Sequence, residues 1–302
     1  GIAEECYEIA LKYSIERKQF GSPIAGKQLI QKKLVDMITE ISKAQLLCLK
    51  IGELMVSEKI TYQQISMVKR NNVNIAQEIA KEARQILGGM GYSAETRAER
   101  AYRDSRINRI YEGTNEINRM LTVDMILKKA MKGEIDLMTP AMEVANEVTG
   151  IPDFNPPSDD IFERHLDYIR KFKKAILMVA GSAAKKLMMS LAKEQEILMG
   201  IADMAIWAYT AESIVLRVQK LYKSQGNAAA ELPLEIMQTY VHSAADKINV
   251  AGRDALMGFA EGDELKMMLM GMKRFTKVEP FNCKESRRKI AGACIDKNEY
   301  CF

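Results

Sequence analysis

Apolar residues recur in alternating steps of three and four at Ile30, Leu34, Met37, Ile41, Ala44, Cys48, Ile51 and Met55. That stripe predicts one helix from about Lys27 to Ser57 that buries a single face in bundle-like packing. A second helix is predicted from Thr61 to Leu87, ended by Gly88-Gly89, where glycine accepts a left-handed cap. Residues 91–113 read as a polar, arginine-rich connection containing short helix. The next helix takes Thr114 or Asn115 as its N-cap and runs to about Lys132. The strongest boundary is Thr139 to Asp160, where Pro140, Pro152, Pro156 and Pro157 fall among Asn, Asp, Gly and Ser. Beyond it, helices are expected near 160–194, 195–224, 231–260, 262–273 and 284–298, with Pro233 and Pro280 in first turns or connections. No period-two alternation is long enough for a convincing strand. The expected fold is all-α in two helical units, residues 1–138 and 161–302, joined by a Pro-rich linker over 139–160. Ala3, Cys6, Tyr7, Ala10 and Leu11 already hold helical spacing, so residue 1 is expected inside a helix, as in a piece of a longer chain.

Composition narrows the classes. The 302 residues are 47% hydrophobic and 28% charged, and 20 of them are Met, which suits a soluble, largely helical protein with adaptable cores. A net charge of +4 is too small to argue for nucleic acid. The five cysteines, Cys6, Cys48, Cys283, Cys294 and Cys301, are odd in number and far apart, without metal-ligand spacing. They read as reduced thiols of a cytosolic or organellar matrix protein. With only His165 and His242, a zinc site or a Ser-His-Asp triad is disfavoured. No uninterrupted apolar run reaches the roughly 18 residues needed to cross a bilayer.

Four segments hold candidate chemistry. Arg17-Lys18-Gln19-Phe20-Gly21 ends the opening helix, and its guanidinium beside free backbone N–H groups can hold a diphosphate. Taken alone, a C-terminal arginine favoured by the helix dipole and followed by a turn is the commoner arrangement. Gly88-Gly89-Met90-Gly91 lets backbone approach a ligand, yet it also serves as a plain helix cap. No strand precedes it, so it is not the dinucleotide fingerprint. Arg97, Arg100, Arg103, Arg106 and Arg109 are interleaved with Glu95, Glu99 and Asp104, which reads as a solvated, salt-bridged segment with Asp104 paired to Arg103 or Arg106. Glu112, on a tight Glu-Gly-Thr corner at a helix entrance, can be a general base on an acidified C–H bond. Its plainer role is a carboxylate stabilised by the helix dipole, worth a few tenths up to about 1 kcal/mol.

Together, Glu16-Arg17-Lys18-Gln19-Phe20-Gly21, Gln28-Leu29-Ile30-Gln31, Gln85-Ile86-Leu87-Gly88-Gly89-Met90-Gly91-Tyr92, Arg103-Asp104 and Tyr111-Glu112-Gly113-Thr114-Asn115-Glu116-Ile117 resemble the C-terminal part of the acyl-CoA dehydrogenase family. The resemblance covers residues 1–130 and implies a four-helix-bundle domain that packs over FAD and helps close an acyl tunnel. It implies FAD-dependent α,β-dehydrogenation of acyl-CoA in fatty-acid β-oxidation. Glu112 would be the base that removes the Cα proton, Tyr111 and Gly113 would contact substrate, and hydride would pass to flavin N5. A water-poor tunnel raises a carboxylate toward the acidity of the activated Cα–H. The resemblance further gives Arg17, Gln19, Phe20, Gln28, Gln85 and Gly89 to the FAD of a neighbouring subunit, and Thr114 and Glu116 to the FAD of their own. A homodimer and an electron-transfer flavoprotein as electron acceptor follow from it.

Residues 140–302 resemble, more weakly, the extra helical domain of very-long-chain acyl-CoA dehydrogenases, matched from Lys193-Glu194-Gln195 through Ile206. In such relatives the extension favours a dimer and can contact membrane. The Lys-rich stretch Arg170 to Lys193 suits either peripheral membrane contact or bundle packing, and its periodicity favours packing. The N-terminal helical and central β domains of the family are absent from these 302 residues, so the chain by itself is expected to bind flavin weakly and to be inactive. A different class of function is a scaffold or assembly factor with the same fold. A bacterial cytoplasm, or a mitochondrial matrix in a eukaryote, is the expected location.

Overall fold

Local sequence sets the helix boundaries of the first bundle. The Thr61 hydroxyl accepts from the Gln64 N–H while the Gln64 side chain accepts from the Thr61 N–H, a capping box that opens the third helix. Thr114 caps the sixth helix by accepting from the Ile117 N–H at 3.2 Å. The computed structural model describes residues 1–150 and 156–302. The order is α1 (Ile2–Glu16), a hairpin of β1 (Lys18–Gln19) and β2 (Ser22–Pro23), α2 (Gln28–Val56), α3 (Tyr62–Leu87), α4 (Gly89–Tyr92) and α5 (Arg97–Arg106). A 3-10 turn at Ile107–Arg109 leads to α6 (Asn115–Met131) and α7 (Met138–Thr149). Then follow α8 (Ile161–Leu187), a 3-10 segment Met188–Lys193, α9 (Gln195–Gln225), α10 (Asn227–Met257), α11 (Gly262–Phe275) and α12 (Cys283–Lys297).

The fold is all-α, as the pattern requires, and it has two apolar cores. One joins α1, α2 and α3 through residues such as Tyr7, Leu11, Leu34, Ile38 and Ile79. The other joins α8 to α11 around Phe172, Met204, Met237, Ile248 and Met272. The cores are not separated by chain order. Ile290, Ala291 and Cys294 of α12 return to the first core, and Val123 of α6 enters the second. Helix α9 also packs on α6 and α2, so the C-terminal half lies directly behind the helix that follows Glu112.

Several expectations need correction. Helix α7 occupies Met138–Thr149, inside the stretch expected as linker. Pro140 falls in its first turn, where a missing N–H costs nothing. Pro152 lies outside the described residues. Helix α10 starts at Asn227 instead of 231, leaving Pro233 inside it. Gly226, at φ 82°, reverses the chain in one residue, and the Ala-rich run behind it is strong helix former. Gly88 has φ 59° but ψ −132°, a glycine conformation outside the left-handed cap, so the chain enters α4 directly. Two helical segments, Ile161–Lys193 and Gln195–Gln225, are apolar and long enough to cross a membrane by length and composition. Counting uninterrupted apolar runs misses them because small, polar and charged residues are interspersed, Gly, Ser and Lys in the first and Gly, Asp, Thr and Glu in the second. In the second, 61% of the apolar window is buried in the protein, as in a core helix, against 28% in the first.

Candidate functional site

The corner before α6 is built from two consecutive residues at positive φ, Glu112 at 54° and Gly113 at 83°. Glycine is needed at 113: a Cβ there would sit 3.1 Å from the Asn118 Nδ2, in a backbone region that side chains disfavour. Glu112 has no such licence, and its left-handed conformation costs about 1–2 kcal/mol. The fold sustains it through its neighbours. Asn118 Nδ2 donates to the Gly113 carbonyl at 2.8 Å and to the Thr114 carbonyl at 3.1 Å. Lys69 Nζ, from the middle of α3, donates to the same Gly113 carbonyl at 2.6 Å. Tyr111 Oη donates to Asn108 Oδ1 at 2.7 Å, which holds the approach to the corner.

The Glu112 side chain is exposed and stands among apolar neighbours. Ile107, Ile110, Tyr111 and Ile117 are all 48–58% exposed. Its charged surroundings come from both flanking helices. Glu116 sits in the first turn of α6, where its own backbone N–H, then the Thr114 hydroxyl, Arg119 and Arg109, hold its carboxyl below the ordinary value. Loss of water lowers the Lys69 ammonium, while Glu112 and Glu116 oppose that shift. Behind the corner, Asp203 Oδ1 of α9 accepts from Arg119 Nε at 2.8 Å and Arg70 Nη2 at 2.9 Å. A carboxylate of the second helical unit thus ties α3 to α6 immediately beyond the corner.

The remaining candidate residues lie at the end of α1 and its hairpin, at the start of α2 and at the end of α3, the last two brought together by the Lys33–Glu82 ion pair as a separate face. Phe20 and Gly21 both have positive φ, 53° and 80°, the requirement of a two-residue hairpin turn, and this leaves Phe20 92% exposed. Arg17, Gln19, Gln28, Gln85 and Gly89 are exposed as well. Among the described residues, the side chains of Arg17, Gln19, Gln28 and Gln85 make no ion pair or hydrogen bond. The structure does not bring this face to the corner. Gln85 lies sixteen residues beyond Lys69 on α3, about 24 Å at roughly 1.5 Å per residue. Tyr111, Glu112, Gly113, Thr114 and Glu116 lie together at the corner, and Arg17 to Gly89 lie apart from it.

Other expectations resolve simply. Arg97, Arg100 and Arg103 pair with Glu5, Asp104 and Glu99, so the run is salt-bridged; the partner of Asp104 is Arg100, one turn away, and neither Arg103 nor Arg106. All five cysteines are free thiols, but Cys294 and Cys301 are not apart: their Sγ atoms are 3.0 Å from each other because the C-terminal tail folds back on α12. Burial pushes the Cys294 thiol up to about 12. A cavity of about 360 Å³ opens where α2 and α3 meet α9 and α10, lined in part by Glu40, Lys43, Arg70, Trp207 and Lys247. None of the candidate residues lines it. Lys69, Asn118 and Asp203 complete the site without a sequence signal of their own: Lys69 and Asp203 meet their partners across helices, and Asn118 is one more polar residue near a helix start.

Two family models, each described as acyl-CoA dehydrogenase, C-terminal domain, match residues 1–127 and 171–274. A probable acyl-CoA dehydrogenase of Bacillus subtilis is 33% identical over 99% of this chain and 54% of its own length. The crystal structure of an acyl-CoA dehydrogenase complexed with FAD from Bacillus anthracis superposes with a TM-score of 0.93 at 33% identity, over 99% of this chain and 54% of that one. A caffeyl-CoA reductase-Etf complex subunit of Acetobacterium woodii is 42% identical over 43% of this chain and 34% of its own length. The chain therefore spans about half the length of the two Bacillus relatives that it matches end to end.

Proposed function

The chain belongs to the acyl-CoA dehydrogenase family, and we propose that it forms the C-terminal part of an enzyme that dehydrogenates acyl-CoA thioesters between Cα and Cβ. The observation that carries this reading is the corner: a strained, exposed carboxylate amid apolar side chains, fixed at a helix entrance by its neighbours. Backbone strain maintained at such cost is characteristic of functional sites. Glu112 takes the Cα proton, and the electron pair of that C–H bond becomes the new C=C bond. Exposed Ile107, Ile110, Tyr111 and Ile117 receive the apolar part of the substrate and exclude water around the carboxylate.

The residues present fit FAD. A guanidinium without a carboxylate partner, three unengaged amides and an exposed glycine N–H form a donor set suited to a diphosphate and an adenine. Arg17, Gln19, Phe20, Gln28, Gln85 and Gly89 would hold these parts for a neighbouring subunit. Thr114 and Glu116 would meet the flavin served by Glu112. FAD, when bound, supplies the acceptor for the hydride from Cβ. The separation of the two faces along α3 supports a homodimer in which each subunit lends one face to its partner's cofactor. The name of the Acetobacterium relative supports an electron-transfer flavoprotein as the next electron acceptor. Residues 1–138 would form the part that meets substrate and cofactor, and residues 161–302 an accessory helical domain. Exposed Met188 and Met189, beside Lys185 and Lys186, would be the place of any membrane contact.

The 302 residues by themselves are expected to be inactive. The full-length protein tests the reading. It should carry a flavin absorption band that an acyl-CoA of some chain length bleaches under anaerobic conditions. Bound flavin that no acyl-CoA bleaches would overturn it and favour the scaffold role.

A further inference from the structure

The Gly113 carbonyl accepts two side-chain hydrogen bonds, from Asn118 at 2.8 Å and Lys69 at 2.6 Å. The two donors differ in what they are attached to. Asn118 belongs to the first turns of α6 and moves with the corner. Lys69 belongs to α3, whose Ile75, Ile79, Ala80 and Ala83 lie in the first core, so of these two donors it is the one that fastens the corner to the rigid part of the bundle. The next residue, Arg70, fastens α6 from behind by sharing Asp203 with Arg119. Two successive residues of α3 therefore hold both sides of one helix entrance.

Resting on the assignment of Glu112 as base, we propose that Lys69 is a positioning residue for the reaction: by fixing the Gly113 carbonyl it keeps Glu112 in its left-handed conformation with the carboxylate aimed at Cα. Lys69 touches neither substrate nor cofactor in this role. Its ammonium lies close enough to Glu112 and Glu116 for both to act on it, and its partial removal from water strengthens that interaction. A lysine has reach and three donors for this task; an apolar side chain of similar length, such as methionine, has the reach alone.

The test uses the full-length, FAD-loaded protein and a 3-thiaacyl-CoA, in which sulfur replaces Cβ. Its Cα proton can be removed while no hydride leaves, so deuterium uptake at Cα in D2O reads proton transfer without redox turnover. Lys69→Met should slow uptake by about 10- to 100-fold, the usual consequence of misplacing a reacting group by about an ångström. Lys69→Arg should restore most of it. The Tyr111 and Ile117 amides, bonded to the Ile107 carbonyl and the Thr114 hydroxyl, should exchange faster in Lys69→Met than in the parent. If Lys69→Met does not fold, Lys69→Leu, which likewise removes every donor, takes its place in the same comparison. Uptake within twofold of the parent in the folded variant without a donor at position 69, with uptake lost in Glu112→Gln, would overturn the role of Lys69 alone. Uptake retained in Glu112→Gln would overturn the assignment of the base and the role of Lys69 with it.

Discussion

The corner around Glu112 and the face from Arg17 to Gly89 are built on opposite plans. At the corner, the chain itself holds the groups around the carboxylate: the Gly113 carbonyl twice, the Thr114 hydroxyl once, the Tyr111 hydroxyl once. On the other face, guanidinium and amides point to solvent without partners, and an aromatic ring at positive φ is almost fully exposed. A group that must act on one atom has to be positioned before that atom arrives. A group that grips a large polar ligand need only be available, because the ligand completes the bonding. The same α3 helix serves both plans, at its middle and at its C-terminal end.

The difference can be broken from either side. Glu112→Gln keeps shape and removes the base, so a single turnover of acyl-CoA followed by stopped-flow absorbance should slow by about 10²–10⁴-fold, the range for a general base. Fold and flavin content should be unchanged. Arg17→Met strikes the other face. Fluorescence titration should show FAD bound about 10- to 100-fold more weakly, since a hydrogen bond to a charged group is worth about 1.5–3 kcal/mol. Thermal stability should stay the same because Arg17 is bonded to nothing else. Gly113→Ala sharpens the comparison at the corner with the smallest effect. Its positive φ and the nearby Asn118 amide should cost about 1–2 kcal/mol in urea unfolding, and the corresponding Gly21→Ala or Gly89→Ala should cost less where no side chain crowds the Cβ.

Much of this was legible in the sequence because the signals were local. The stripe from Ile30 to Met55 gave α2 to within a residue at each end, and Thr114 was correctly marked as a possible cap. The Glu-Gly-Thr corner was identifiable because its residue types answer a backbone demand within three positions. What stayed hidden was long-range. Lys69 reaches a carbonyl 44 residues away, and Asp203 joins two arginines from separate helices. Neither follows from periodicity, since a lysine or aspartate on a helix is ordinarily solvated. Pro140 and Pro233 marked boundaries in the pattern, yet Pro140 lies in the first turn of α7, where its missing N–H costs nothing, and α10 begins ahead of Pro233 on an Ala-rich run. Cys294 and Cys301 came together because the tail reverses after Asn298, which takes a left-handed conformation no spacing rule announces.

The most direct test of the two plans is amide hydrogen exchange on the full-length protein, with and without FAD. Tyr111, Ile117 and Asn118 should be equally protected in both states, while segments 17–28 and 85–92 should gain protection only when FAD is bound. A corner that becomes protected only with FAD, or a face already protected without it, would contradict the claim that the chain holds its base in advance and waits for its cofactor.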